Sequence, residues 1–256
     1  MDFSLFLNVI YQQWWFLLIA LMLGIFRIPW VKGLVGEAFV MMSAGFGLPK
    51  DTYHPFHNVT LKTLDGTTQI DHDFVSEFGI FVVETKNLQG WIFGREEQAY
   101  WTQKIYRKSS KFQNPLRQNF KHLKVLEALL DLPSDCFHSV VAFTGTCTFK
   151  TAMPPNITTG IGFIAYIKSF QAPVLSKAQV VSVVDQIEGG RLANSFETHR
   201  RHVQHLKSRA DPNAERLCPQ CGNRMILRTA KRGKKIGKRF WGCSAYPVCK
   251  MVQELG

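Results

Sequence analysis

The residues with the clearest chemical potential are Asp71, Glu84 and Lys86. Asp71 ends the run Gln69-Ile70-Asp71, twelve residues separate it from Glu84, and Lys86 follows two positions later. Gly79-Ile80-Phe81-Val82-Val83 leads into Glu84, and these strong β-formers read as a buried strand. Side chains alternate along a strand, so Glu84 and Lys86 share one face at its end. Asp71, on a preceding strand, supplies a second carboxylate. Two carboxylates hold a hard divalent cation through oxygen, and a neighbouring ammonium steers water. Together they equip a site for metal-assisted phosphodiester hydrolysis. The same spacing also fits a solvated salt bridge of little energetic consequence, so spacing alone leaves both readings open.

The second chemical pattern lies near the C-terminus. Cys218-Pro219-Gln220-Cys221 is followed by 21 residues, then Cys243, then five more and Cys249. Four thiolates bind Zn²⁺ tetrahedrally and close its coordination shell, which marks a structural site rather than a catalytic one. So short a segment has little core of its own, so the metal supplies much of its folding energy. Between the cysteine pairs lie Arg224, Arg228, Lys231, Arg232, Lys234, Lys235, Lys238 and Arg239, interleaved with Phe240 and Trp241, and Tyr246 follows. Cations neutralise phosphates and aromatic faces stack on unpaired bases, so the segment reads as a nucleic-acid binder. Cys136 and Cys147 remain, and in a reducing compartment they read as small buried residues.

Charge supports that division. The 256-residue chain carries a net +12, and residues 207–256 hold twelve Lys/Arg against three Asp/Glu. The basic character therefore belongs mostly to the tail and points to an anionic partner. A hydrophobic content of 46% is enough for one full core and a small appendage.

The N-terminus differs. Residues 3–26 contain no charged side chain and include Trp14-Trp15-Phe16-Leu17-Leu18-Ile19. A spanning helix needs roughly 20 mainly apolar residues. A cleaved signal peptide would have a basic start and a small-residue cleavage site, whereas this start is acidic and bulky residues follow the run. The segment is expected to be a retained transmembrane helix. Arg27 and Lys32 flank its C-terminal side, which places the soluble domains in the cytoplasm.

The elements that must position these groups can be read in order. A helix is expected over 33–48, carrying Glu37. Strands are expected over 59–64, 67–75 and 80–86, with Asp65-Gly66 and Glu77-Phe78-Gly79 as turns. Two further short strands, 90–94 and 99–102, complete an antiparallel meander. Asn114-Pro115 starts a helix running to about residue 130 and carrying Gln118. Strands follow at 140–149 and 162–170. Ser176-Lys177-Ala178-Gln179 is a capping box opening a helix to about residue 187. A polar helix is expected over 193–208, with a linker at 210–215. This order implies an α/β fold with a central mixed sheet flanked by helices. Asp73 shares the Asp71 face if the strand is regular, which leaves it as a metal ligand, an electrostatic neighbour or an exposed residue. His72 points the other way.

Two family resemblances rest on these residues. Cys218-Pro219-x-Cys221-Gly222 and Phe240-Trp241-Gly242-Cys243-Ser244-x-Tyr246-Pro247-x-Cys249 closely resemble the four-cysteine zinc finger of bacterial type I topoisomerases. That resemblance implies single-stranded DNA binding by residues 215–254. Residues 33 to about 150 resemble the nuclease-related domain, NERD, and a domain spanning 33–206 is expected. The carriers are Gly36-Glu37, Thr68-Gln69-Ile70-Asp71-His72, the run from Gly79 to Lys86, Gly90-Trp91-Ile92-Phe93-Gly94 and Asn114-Pro115-Leu116-x-Gln118. That family is grouped with the restriction-endonuclease-like PD-(D/E)xK nucleases. The resemblance implies Mg²⁺ or Mn²⁺ held by Asp71 and Glu84, with Lys86 activating the attacking water. It also implies that Glu37 is an accessory acid and that Gln118 shapes the site. No proline precedes Asp71, a departure from the motif's name. The expectation is a membrane-anchored, metal-dependent nuclease whose finger holds DNA. The alternative is a non-catalytic membrane-anchored nucleic-acid-binding module or an interaction scaffold.

Overall fold

The strand run that ends in Glu84 sits at the middle of a sheet, and the helices are arranged around it. The computed structural model describes residues 14–16, 18, 19, 24, 28–63, 66–193, 200, 217, 218, 220–232 and 236–254. It divides into two units, residues 1–57 with 70–186 and residues 58–69 with 187–256.

Helix α1 (Pro29–Gly47) opens with proline in its first turn, where a missing N–H costs nothing. Strands β1 (His54–Thr63), β2 (Gly66–Ser76) and β3 (Gly79–Lys86) follow. Gly79 turns the chain between β2 and β3 at φ +126, and a Cβ there would lie 2.6 Å from His138 Nε2. Strands β4 (Gly90–Phe93), β5 (Tyr100–Ile105) and β6 (Lys108–Gln113) come next. Helix α2 (Pro115–Leu130) is capped by Asn114, whose side chain accepts from Leu116 N while its amide donates to Gln98 O at 2.7 Å. Strands β7 (Phe137–Phe143), β8 (Cys147–Phe149) and β9 (Ile157–Thr159) precede helices α3 (Gly162–Lys168) and α4 (Lys177–Gly190).

The central sheet has the order β1-β2-β3-β7-β9 and is mixed. The β2–β3 pair is antiparallel, and the β3–β7 and β7–β9 pairs are parallel. A second sheet, β6-β5-β4-β8, is antiparallel except for β4–β8. On one face of the central sheet, Val40 and Ala44 of α1 and Phe163 and Ile167 of α3 pack with Phe74, Phe81, Val83, Val140 and Ala142. The opposite face carries Val82, Ser139 and Val141. There α2 packs, and the second sheet brings Ile92 and Trp101 against Val141 and Phe143. In the other unit, β10 (Met225–Thr229), β11 (Arg239–Cys243) and β12 (Val252–Glu254) form a small antiparallel sheet.

Several expectations change. The expected meander is divided between two sheets, and polar β6 joins it as a strand the sequence reading omitted. The expected strand 140–149 is two strands in different sheets, interrupted at Thr144-Gly145-Thr146. The expected strand 162–170 is instead α3. Phe163 and Ile167, four apart, are both fully buried, so one helical face explains the apolar run. The capping box holds, with Ser176 N donating to Gln179 Oε1 and Gln179 N donating to Ser176 Oγ. The expected transmembrane segment 3–26 lies largely outside the described residues, as do most of helix 193–208 and the 210–215 linker. No helix among the described residues is long and apolar enough to cross a membrane.

One buried amide joins α2 to the sheet. Asn119, fully buried, directs Nδ2 to Val82 O at 2.7 Å, Ser139 Oγ at 2.9 Å and Val140 O at 3.0 Å. Asn119→Ala orphans these acceptors, and urea unfolding is expected to show a loss of about 2–4 kcal/mol. A loss under about 0.5 kcal/mol would show that the amide does not tie helix to sheet.

Candidate active site and zinc finger

The β2–β3 ladder runs from Ser76–Gly79 to His72–Val83. Asp71 and Glu84 are the next residues along each strand, beyond the last pair of the ladder. The Asp71 carboxylate takes over the bonding, its Oδ2 accepting from Thr85 N at 2.8 Å. A side chain thus satisfies a backbone donor that the neighbouring strand no longer reaches.

Glu84 is 2% exposed. Lys86 Nζ donates to Glu84 Oε1 at 2.5 Å and to Gln118 Oε1 of α2 at 3.0 Å. His122 Nε2, one helical turn beyond Gln118, lies 3.3 Å from Glu84 Oε2, an ion pair when the imidazole is protonated. Burial pushes the Glu84 carboxyl up, but Lys86 and His122 together outweigh it and hold the group below the ordinary glutamate range. Asp71 behaves in the opposite way. Burial raises it well above the usual carboxylate range, and the negative charges of Glu84 and Glu37 add to that, against the Thr85 hydrogen bond and Lys86. Glu37, half-buried on α1, is therefore near enough to act on the site. The structure brings together Asp71, Glu84, Lys86 and Gln118, with Glu37 at the margin. His122 is the residue that sequence reasoning missed, although its i+4 spacing from Gln118 puts both on one helical face.

The acids fit a cation in one respect. Asp71, Glu84 and Glu37 crowd negative charge at the mouth of the sheet, and a divalent ion would relieve it. Their oxygens are not gathered as tightly as the cysteines. Among the described residues, only the four cysteines bring three or more ligand atoms within 4.8 Å of one another.

Asp73 and His72 take opposite faces of β2. Asp73 is 0% exposed, both its oxygens lack a hydrogen-bond partner, and burial pushes its carboxyl up to about 8. His72 is also buried, its Nδ1 2.8 Å from that of His57, and burial holds the ring down to about 3.

In the finger, Cys218 and Cys221 lie on a tight turn in which Gly222 N donates to Cys218 O at 2.8 Å and Gly222 sits at φ +71. The sulfur of Cys218 is 3.6 Å from that of Cys249, and Cys221 Sγ is 3.4 Å from Cys243 Sγ. Tetrahedral zinc–thiolate bonds of about 2.3 Å put sulfurs roughly 3.8 Å apart, so the four cysteines fit zinc. Hydrogen bonds from Asn223 draw the Cys221 thiol down to about 6, whereas burial pushes Cys243 up to about 12. Zinc binds cysteine as thiolate, so a bound ion would offset the burial that holds the proton on Cys243. Trp241 is buried beside the cysteines with Met225, so its ring serves the finger core and presents no stacking surface. Tyr246 is exposed, Arg228 lies 5.7 Å from its ring centre, and half-buried Phe240 joins them in an open cleft of about 700 Å³ with Lys231 and Lys250. Arg224, Arg232, Lys238 and Arg239 are exposed, and Lys234 and Lys235 lie outside the described residues.

Comparison with known proteins agrees with both halves. The family described as nuclease-related domain matches residues 32–144, and the topoisomerase DNA-binding C4 zinc finger matches residues 215–255. An uncharacterized protein of Bacillus anthracis is 41% identical over 163 residues, covering 63% of this chain and 74% of the relative. The chain belongs to the nuclease-related domain family. No solved structure matches it. Within this NERD protein, the family match spans Glu37, Asp71, Glu84, Lys86, Gln118 and His122, and the finger match spans all four cysteines.

Two measurements follow from the two halves. Folded Asp73 keeps its proton up to about pH 8, whereas the unfolded carboxyl loses it near pH 4. Stability therefore falls as pH rises between those values. In buffer free of Mg²⁺ and Mn²⁺, Asp73→Asn is expected to be more stable than the parent at pH 8 by on the order of a few kcal/mol, the gap narrowing toward pH 5. Parallel urea-denaturation profiles at the two pH values would contradict this. Zinc chelation or Cys243→Ser is expected to abolish amide-exchange protection across β10–β12 and leave β2, β3 and β7 protected. Retained protection in the small sheet would show that it folds without metal.

Proposed function

We propose that this protein is a membrane-anchored, metal-dependent nuclease that binds DNA through its C-terminal finger. The observation that carries the reading is Asp71, bonded through Oδ2 to Thr85 N just past the last pair of the β2–β3 ladder, with Lys86 Nζ bonded to both Glu84 and Gln118. Ligand sites of open α/β sheets lie at the carboxyl ends of their strands, and Lys86 closes β3. The described fold, a mixed sheet with helices on both faces, supports a restriction-endonuclease-like core. The uncharged run 3–26 supports the anchor, and Arg27 and Lys32 on its C-terminal side support a cytoplasmic placement of the soluble domains.

In this reading Asp71 and Glu84 would hold Mg²⁺ or Mn²⁺, which polarises a phosphodiester and lowers the pKa of bound water. Glu84 is kept ionised by Lys86 and His122. Asp71 gives up its proton when positive charge enters beside it. The Lys86 ammonium, 21% exposed, faces the opening and can orient the attacking water and offset charge developing on phosphate oxygen. Water oxygen bonds to phosphorus as the P–O bond to the leaving sugar oxygen breaks. Glu37 adds negative charge at the rim, and Gln118 fixes the Lys86 head. The finger would contribute most of the affinity, falling steeply with salt, through its cations and the exposed Tyr246.

A non-catalytic binding module is favoured by one observation. Glu84, Lys86 and Gln118 satisfy one another, as a purely structural ion pair would. The two readings part in a cleavage assay. Full-length protein in detergent is incubated with labelled single- and double-stranded DNA, with Mg²⁺, with Mn²⁺ or with EDTA. Metal-dependent cleavage is expected to fall at least about 100-fold in Glu84→Gln while affinity stays within about twofold. Cleavage at the parent rate by Glu84→Gln would remove the metal assignment. Binding without cleavage under either metal would establish the binding module.

A further inference from the structure

The second sheet has one face in the core and one in solvent. Along β4, β5 and β6, Ile92, Trp101 and Phe112 point inward to the Phe143 cluster. The alternate residues point outward. Trp91 is paired with Lys104 across β4–β5, and Lys111 is on the same outward face through its pairing with Thr102. Lys150 continues β8 past its last residue, its N–H donating to Ile92 O at 2.8 Å.

Two features distinguish this face from an ordinary solvated sheet. Trp91 is 48% exposed and Tyr100 is 54% exposed, a large apolar area left in water on one short sheet. Two cations stand over the indole, with Lys150 Nζ 4.7 Å and Lys104 Nζ 6.0 Å from the ring centre. Strands β4, β5, β6 and β8 contain no Asp or Glu, so no carboxylate within them offsets Lys104 and Lys111. An aromatic plane beside exposed ammonium groups on an open sheet is the equipment for stacking an unpaired base while its flanking phosphates are neutralised. A duplex hides its base faces and an acidic peptide has none, so the chemistry selects a single strand.

We propose that the outward face of β4-β5-β6-β8 binds single-stranded nucleic acid, with Trp91 stacking a base and Lys104, Lys111 and Lys150 contacting phosphates. This surface belongs to the NERD unit and is separate from the finger residues. It rests on the proposed function only for the identity of the polymer.

The test measures affinity of zinc-loaded, full-length protein for labelled oligo(dT) and for a duplex of equal length. Four proteins are compared: the parent, Trp91→Ala, Cys243→Ser and the double variant. Trp91→Ala is expected to weaken oligo(dT) binding about five- to tenfold in both the parent and Cys243→Ser backgrounds, with little change for the duplex. If Cys243→Ser alone changes nothing, the finger reading fails while this surface stands. Unchanged oligo(dT) affinity on Trp91→Ala in both backgrounds would overturn the proposal. So would an equal loss toward oligo(dT), duplex and polyglutamate, which would reduce the face to a charged patch. A second measurement needs no mutation. Photocrosslinking with 5-iododeoxyuridine oligonucleotides is expected to label the peptide containing Trp91. Crosslinks confined to residues 217–254 would overturn the assignment.

Discussion

A carboxylate buried in a β-sheet is the constraint around which the NERD unit is organised. Glu84 lies on β3, flanked by β2 and β7 and covered by α2. Removing such a charge from water costs several kcal/mol unless it is paired and hydrogen-bonded. Lys86, two residues along the same face, supplies one partner, and His122 supplies the other from the helix above. The helix can do so only because Asn119 fixes its height against Val82 and Val140, and because Asn114 fixes where it begins. The capping residue, the buried amide and the ion pair are successive parts of one device. It holds an ionised carboxylate at a place where the sheet opens.

The finger solves a different problem by similar means. Its core is a few side chains, Met225 and Trp241 among them, around four sulfurs. Apolar burial on that scale does not order a segment of this size. Attraction between thiolates and the zinc ion that the four cysteines fit would take over the role that packing plays in the larger unit, and Trp241 contributes to structure what its sequence context offered to recognition. Tyr246 stays exposed, with the half-buried Arg228 beside its ring.

How much of this was legible in the sequence depends on whether the signal was local. The β3 run is continuous β-former into Glu84, and the cysteine spacing is a metal signature, so both were readable. Asn114-Pro115 marked the start of α2 to the residue, because cap and proline act over one turn. The failures lie where partners are distant. Residues 163–167 are apolar enough for either a strand or a helix, and only packing against Ala44 and Phe74 selects α3. The polar β6, Lys-Ser-Ser-Lys-Phe-Gln, becomes a strand by pairing with β5. His122 was within reach of a periodicity argument from Gln118. The complete burial of Asp73 was not, since nothing local distinguishes an orphaned acid from an exposed one.

The passage from the central sheet to the second sheet is made by two chain segments side by side. β3 pairs with β7 as β4 pairs with β8, and Lys86–Phe143 and Gly90–Cys147 keep one register across the gap. Thr144 N bonds to Lys86 O at 3.1 Å and Gly90 N to Thr146 O at 3.2 Å. Gly145 lies so close to Leu88 that a Cβ would fall 2.1 Å from its carbonyl oxygen. A single connecting strand could swivel, but a doubled, bonded ribbon resists torsion. The outward face of the second sheet and the carboxylates at the end of β3 are therefore held at a set separation. A polymer gripped at one would meet the other after a constant number of nucleotides, so the fold would act as a ruler.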